Sequence, residues 1–125
     1  MSLMPEEMFV VATYKIQGFH NWPDAKGEVD FLSFKHRHLF HIKVVARVSH
    51  DNRDVEILDM QTLIIEAIAA NYEAERLGVL FESDSCEQIA RKIALTLMED
   101  NLRIAEVEVL EDGENGAILR YNPHA

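Results

Sequence analysis

The chain is poor in the residues that staple or interrupt a fold: one cysteine, three prolines and five glycines in 125 residues. A single thiol, Cys86, excludes an intramolecular disulfide and a multi-cysteine zinc site, and a reducing cytoplasm is the simplest setting. Any transition metal held here has to rely mainly on histidine, with carboxylate or water completing the shell. Positive charge is also scarce. Against 22 Asp and Glu stand 12 Lys and Arg, a net charge of −10. That balance argues against nucleic acid as a partner, since phosphates must be neutralised by Lys and Arg. No apolar run approaches the length of a bilayer span and the N-terminus carries no signal-peptide pattern, so a membrane is not an expected partner either. No repeat, low-complexity segment or Pro/Gly/Ser-rich linker divides the chain. Residues 1–125 therefore read as one domain, with residues 1–7 and 122–125 expected to be flexible.

What is present is alternation. Met8, Val10, Ala12, Tyr14 and Ile16 share one face of an expected strand, and the same parity leads through Gly18 to His20. The segment GFHNWPDAKGEVD then breaks the pattern and reads as a long loop around residues 21–30. From Lys35 alternation resumes. His36, His38, Phe40, Ile42, Val44, Ala46 and Val48 face one way; Arg37, Leu39, His41, Lys43, Val45 and Arg47 face the other. A turn at SHDNRD and a short strand over 55–58 follow.

Asp59 is the expected N-cap of a first helix, with Met60, Leu63, Ile64, Ala67 and Ile68 at helical spacing, running through NYEAER to end near Gly78. Ser85 and Gln88 form the capping box of a second helix, whose apolar stripe is Ile89, Ile93, Ala94, Leu97 and Met98 and which stops near Asn101. Residues 103–110 and 117–121 close as a hairpin across the turn EDGENG. The expected architecture is α+β, a four-stranded antiparallel sheet with two sequential helices packed on one face.

Histidine is scarce, six in all, yet HRH places two at the mouth of a strand. His36 and His38 lie on one face, about 7 Å apart at Cα by the strand rise. His41 has the opposite parity. Catalytic zinc usually takes three protein ligands, and His20, which ends the first strand on its apolar face, is the natural third if the two strands pair. The bland alternative is a set of hydrogen-bonded polar residues at a strand entrance. His50 and His124 read as turn and tail residues.

The order of elements and motifs resembles the 6-pyruvoyl-tetrahydropterin synthase and 6-carboxytetrahydropterin synthase family, which has the T-fold. GFH and HRH resemble its three zinc-binding histidines. VEILDMQTLIIEAI is similar to the segment leading into its first helix, and SCEQIARKIA to the Pro-Thr-x-Glu-x-x-Ala start of its second. VEVLED resembles its Val-x-Val-x-Glu-Thr strand end, and AILRY its last strand. The resemblance implies zinc on His20, His36 and His38, a pterin- or purine-like ligand anchored by Glu111, and a homo-oligomer with sites at subunit interfaces. It further implies a lyase acting on a dihydroneopterin triphosphate-type substrate, in pterin or deazapurine (queuosine) biosynthesis. Apart from the resemblance, Ala105, Val107, Val109 and Glu111 share a strand face, which sets a carboxylate at the end of an apolar row.

Two positions depart from the family. Leu32 stands where its catalytic cysteine lies, four residues before the histidine pair, and Cys86 instead falls at the second-helix start, where it reads as a small half-buried residue. The segment AANYEAERLGVLFESD lacks the histidine of the family's Asp-His pair. Asp30, Ser33, Glu82 and Asp84 are local candidates for a replacement acid or base, and Lys35, Arg37, Lys43 and Arg47 for phosphate contacts. Three functions stand open: a zinc lyase; a T-fold binding or assembly protein that keeps the scaffold and lacks the standard reaction; and a plain α+β protein with incidental histidines.

Overall fold

A computed structural model describes residues 3–122. Two long strands, β1 (Met8–His20) and β2 (His36–Val48), form an antiparallel hairpin in unbroken register from Met8 opposite Val48 to His20 opposite His36. The loop between them contains a 3-10 segment, Gly27–Ser33. Its neck is tied by Trp22 N–H to the Leu32 carbonyl at 2.7 Å and by Asn21 Nδ2 to the Ser33 carbonyl at 3.1 Å.

Helix α1 (Ile57–Asn71) is followed by the short hairpin β3 (Glu73–Glu75) and β4 (Gly78–Glu82), then by α2 (Cys86–Glu99), β5 (Arg103–Glu111) and β6 (Asn115–Arg120). The strand order is β3-β4-β1-β2-β5-β6. The α+β class holds, but the expected four-stranded antiparallel sheet is a six-stranded mixed one, because β4 pairs with β1 in parallel.

This correction comes from the segment expected to prolong the first helix. At Tyr72 the chain turns extended, with φ −141° and ψ 147°. Asn71 Nδ2 donates to the Ala67 carbonyl at 2.8 Å, while the Tyr72 ring packs 4.8 Å from that of Phe81. Pairing of Glu73–Glu75 with β4, itself paired with β1, thus outweighs a local helical preference, which is worth only tenths of a kcal/mol per residue. The expected strand over 55–58 is absent as well. Ile57 opens α1, capped by Glu56 rather than Asp59, with Glu56 Oε2 accepting from Asp59 N–H at 2.7 Å. The capping box at Ser85 and Gln88 forms as expected.

Both helices bury their apolar stripes in one core with Ala12, Phe40, Ile42, Val44, Ala46, Val107 and Val109 of the sheet. A bulge in β5 alters one expected face: Ile104, not Ala105, lies opposite Ala46 and joins the core. Gly18 is required by close approach. A Cβ there would lie 2.4 Å from the Phe81 ring and 3.0 Å from that of Phe40. Residues 1–2 and 123–125, among them His124, lie outside the described residues. Among the described residues no helix is long and apolar enough to cross a membrane.

Candidate metal centre

The pairing of β1 with β2 decides the site. Its last rung sets His20 opposite His36, and the rung before sets Gly18 opposite His38. All three histidines share the parity of the core-facing residues and sit at the open end of that face. Phe40 floors them, its ring 5.2 Å from that of His20 and 5.8 Å from that of His38, both edge-on. The three imidazoles are mutual neighbours, with ring centroids 4.6, 5.5 and 5.0 Å apart.

Each ring is held by its Nδ1. His20 Nδ1 lies 3.0 Å from the Asp84 carbonyl and His36 Nδ1 2.9 Å from the Phe34 carbonyl. His38 Nδ1 lies 2.7 Å from Asp112 Oδ2. Carbonyls and carboxylates only accept, so each Nδ1 carries a proton; Nε2 of His36 and of His38 faces the group, while His20 Nε2 shares a proton with the Glu111 carboxylate that a bound ion would displace. Histidines that bind metal are oriented in this way. Glu111, opposite Phe40 on β5, brings Oε2 to 2.6 Å from His20 Nε2 and 3.4 Å from His38 Nε2. One ligand atom from each of His20, His36, His38 and Glu111 lies within 4.8 Å of the others, so the four can hold a metal ion. Burial holds His20 below the usual imidazole range, against the opposing pull of the Asp84 carbonyl and of Glu111. The neutral ring, the form that ligates, is favoured.

A cavity of about 390 Å³ opens on this group. Trp22 and Leu32 of the loop, Asp84 and Cys86 at the start of α2, and Asn115 at the start of β6 contribute to its wall. The loop expected over 21–30 therefore shapes the site. Leu32 presents only methyl groups to it. Cys86 is buried, its thiol pushed up to about 12 chiefly by desolvation. Of the four replacement acids or bases considered, only Asp84 lines the cavity, and its carboxylate already accepts from Tyr72 Oη at 2.8 Å and Lys92 Nζ at 2.7 Å.

The basic residues do not converge here. Lys43 pairs with Glu106 and Glu108, Lys35 lies over the Phe19 ring, and Arg47 donates to the Ile104 and Tyr121 carbonyls at the far end of β2. Sequence reasoning passed over Asp112, which read only as a turn residue. The Asp-Gly pair following Glu111 is the signal that could have found it, because it marks a tight hairpin turn that ends β5 just past Glu111, beside the histidine end of β2.

No family model matches this chain, and no curated protein does. Among solved structures, the crystal structure of uncharacterized protein WS1659 from Wolinella succinogenes is similar, with a TM-score of 0.65 at 11% identity over 94% of this chain and 100% of that one. At that identity the likeness concerns the fold alone.

Proposed function

We propose that this chain is a divergent T-fold protein of the 6-pyruvoyl-/6-carboxytetrahydropterin synthase type that holds zinc on His20, His36 and His38. One observation carries the reading: three imidazoles have their Nδ1 engaged by an acceptor, and their ligand atoms gather with that of Glu111 within 4.8 Å. Hydrogen-bonded histidines at a strand entrance need not bring their second nitrogens together with a carboxylate, and that convergence favours the metal reading. The overall charge of −10 is compatible with holding a cation. Zinc, when bound, would supply Lewis-acid polarisation of a substrate hydroxyl or carbonyl.

The ligand of this reading is a flat pterin- or purine-like ring in the adjoining cavity, and the reaction is a carbon–oxygen lyase step on a dihydroneopterin triphosphate-type substrate. Glu111 suits the amino-pyrimidine edge, since a carboxylate accepts two parallel N–H bonds. Because its Oε2 now touches His20 and His38, anchoring a ring requires the carboxylate to turn toward the cavity it lines. Trp22 offers a half-exposed indole at the rim for the ring face. Subunits assemble as a homo-oligomer with sites at their interfaces, a reading supported by exposed Phe9, Val11 and Ile118 on strands of the sheet. The cytoplasm is its setting.

A second reading, a binding or assembly protein without the standard reaction, is favoured by the methyl groups of Leu32 in the cavity wall and by the engagement of Asp84. Metal analysis and turnover separate the readings. Stoichiometric zinc is expected in the wild type, and His36→Ala and His38→Ala should lower affinity by more than the roughly 100-fold that loss of a ligand's hydrogen-bond partner costs. Substoichiometric zinc indifferent to both changes sinks the metal reading. With zinc present, turnover of dihydroneopterin triphosphate supports the lyase, and binding without turnover supports the second reading.

A further inference from the structure

His20 and His36 donate Nδ1–H to neutral backbone carbonyls, whereas His38 donates to a carboxylate, and that carboxylate is itself built into the fold. Asp112 and Gly113 occupy the centre of the β5–β6 turn with φ of 56° and 72°, closed by Glu114 N–H to the Glu111 carbonyl at 2.9 Å. Positive φ at both central residues is what a tight hairpin turn demands, and aspartate is among the few residues that accept it. The turn delivers Asp112 onto β2. Its N–H donates to the Leu39 carbonyl at 2.8 Å, and its Oδ1 accepts from Leu39 N–H at 2.9 Å. With Oδ1 so clamped, Oδ2 is aimed at His38 Nδ1, 2.7 Å away.

We infer that Asp112 is a positioning residue of the metal centre, fixing His38 with its proton on Nδ1 and its Nε2 toward the ion. The inference rests on the metal reading above. A carboxylate on the far nitrogen also makes the imidazole a more basic ligand than a carbonyl does. Asp112 touches no substrate in this scheme; it acts through His38.

The experiment is zinc titration of the full chain, stripped by chelator, against a competing zinc dye, with the visible spectrum of the cobalt(II) form as a second readout. Asp112→Asn keeps a residue suited to the left-handed backbone but offers one carbonyl oxygen to two donors, setting an amide N–H against the other. Asp112→Gly keeps the turn and removes the acceptor altogether. Both should weaken zinc about 10–100-fold and shift the cobalt(II) bands, with the metal-free protein still folded at the titration temperature but melting somewhat lower in Asp112→Gly, where Leu39 N–H loses its acceptor. Glu114→Gln, which removes one charge from the same turn, should do neither. A wild-type affinity and spectrum in both Asp112 variants overturns the inference while leaving the metal centre standing. An equal loss in Glu114→Gln also overturns it, because bulk charge then explains the effect. A wild type that takes no zinc overturns both readings at once.

Discussion

A hollow lies toward each end of the β1–β2 hairpin, and the two differ in kind more than in size. Toward the His20–His36 rung is the cavity of about 390 Å³; toward the Met8–Val48 rung is one of about 590 Å³ lined by Phe9, Arg47, Arg120 and Tyr121. The larger one holds polar groups engaged with the backbone or paired with each other. Arg47 donates to two carbonyls at 3.3 and 3.4 Å, its buried Nε lacks a partner, and Arg120 is spent on Glu106. In the smaller one the ligand atoms turn toward one another and every histidine is held from behind. Convergence of atoms with their second contacts satisfied distinguishes a candidate site from a gap, and volume does not.

The comparison breaks most readily at the aromatic floor of the metal end. Gly18→Ala drives a methyl group into the Phe81 and Phe40 rings, so it should destabilise the fold by about 1–3 kcal/mol and weaken zinc, read by denaturant unfolding and zinc titration. Unchanged stability would show that the Phe40–Phe81 pair can shift freely and that it does not set the histidine geometry. At the far end, Arg47→Met should change stability by no more than about 1 kcal/mol, because two long hydrogen bonds and one unsatisfied donor are removed together. Zinc affinity should stay at the wild-type value; any loss there would mean the two ends are coupled. The smallest effect belongs to Cys86, which lines the histidine cavity but stands outside the group that could hold a metal. Cys86→Ser should leave zinc stoichiometry unchanged. Alkylation of the native thiol at neutral pH should be slow and become fast on unfolding, since burial disfavours the thiolate and the reactive form is restored in water.

The parts legible in the sequence are those governed by local repeats. Alternation placed β1, β2 and the β5–β6 hairpin, and Ser85 with Gln88 marked the start of α2. The same parity put His20, His36 and His38 on one face and His41 on the other. The misreadings lie where a distant partner outweighed a local preference. The segment around Tyr72 has helical composition, yet it leaves α1 because β4 finds an edge on β1. Ala105 obeys period two, yet the bulge gives its place to Ile104.

The sequence by itself determined which residue types can ligate, on which strand faces they fall, and that a single cysteine excludes a multi-cysteine ligand set. Only the tertiary structure decided that three histidines and Glu111 share one small volume, and that Asp112, Asp84 and Phe34 hold them from behind. The reason is physical. Parity is a property of one strand, whereas a metal centre needs register between strands; core packing sets the register of β1, β2 and β5, and Asp112 ties the end of β5 to β2 at Leu39.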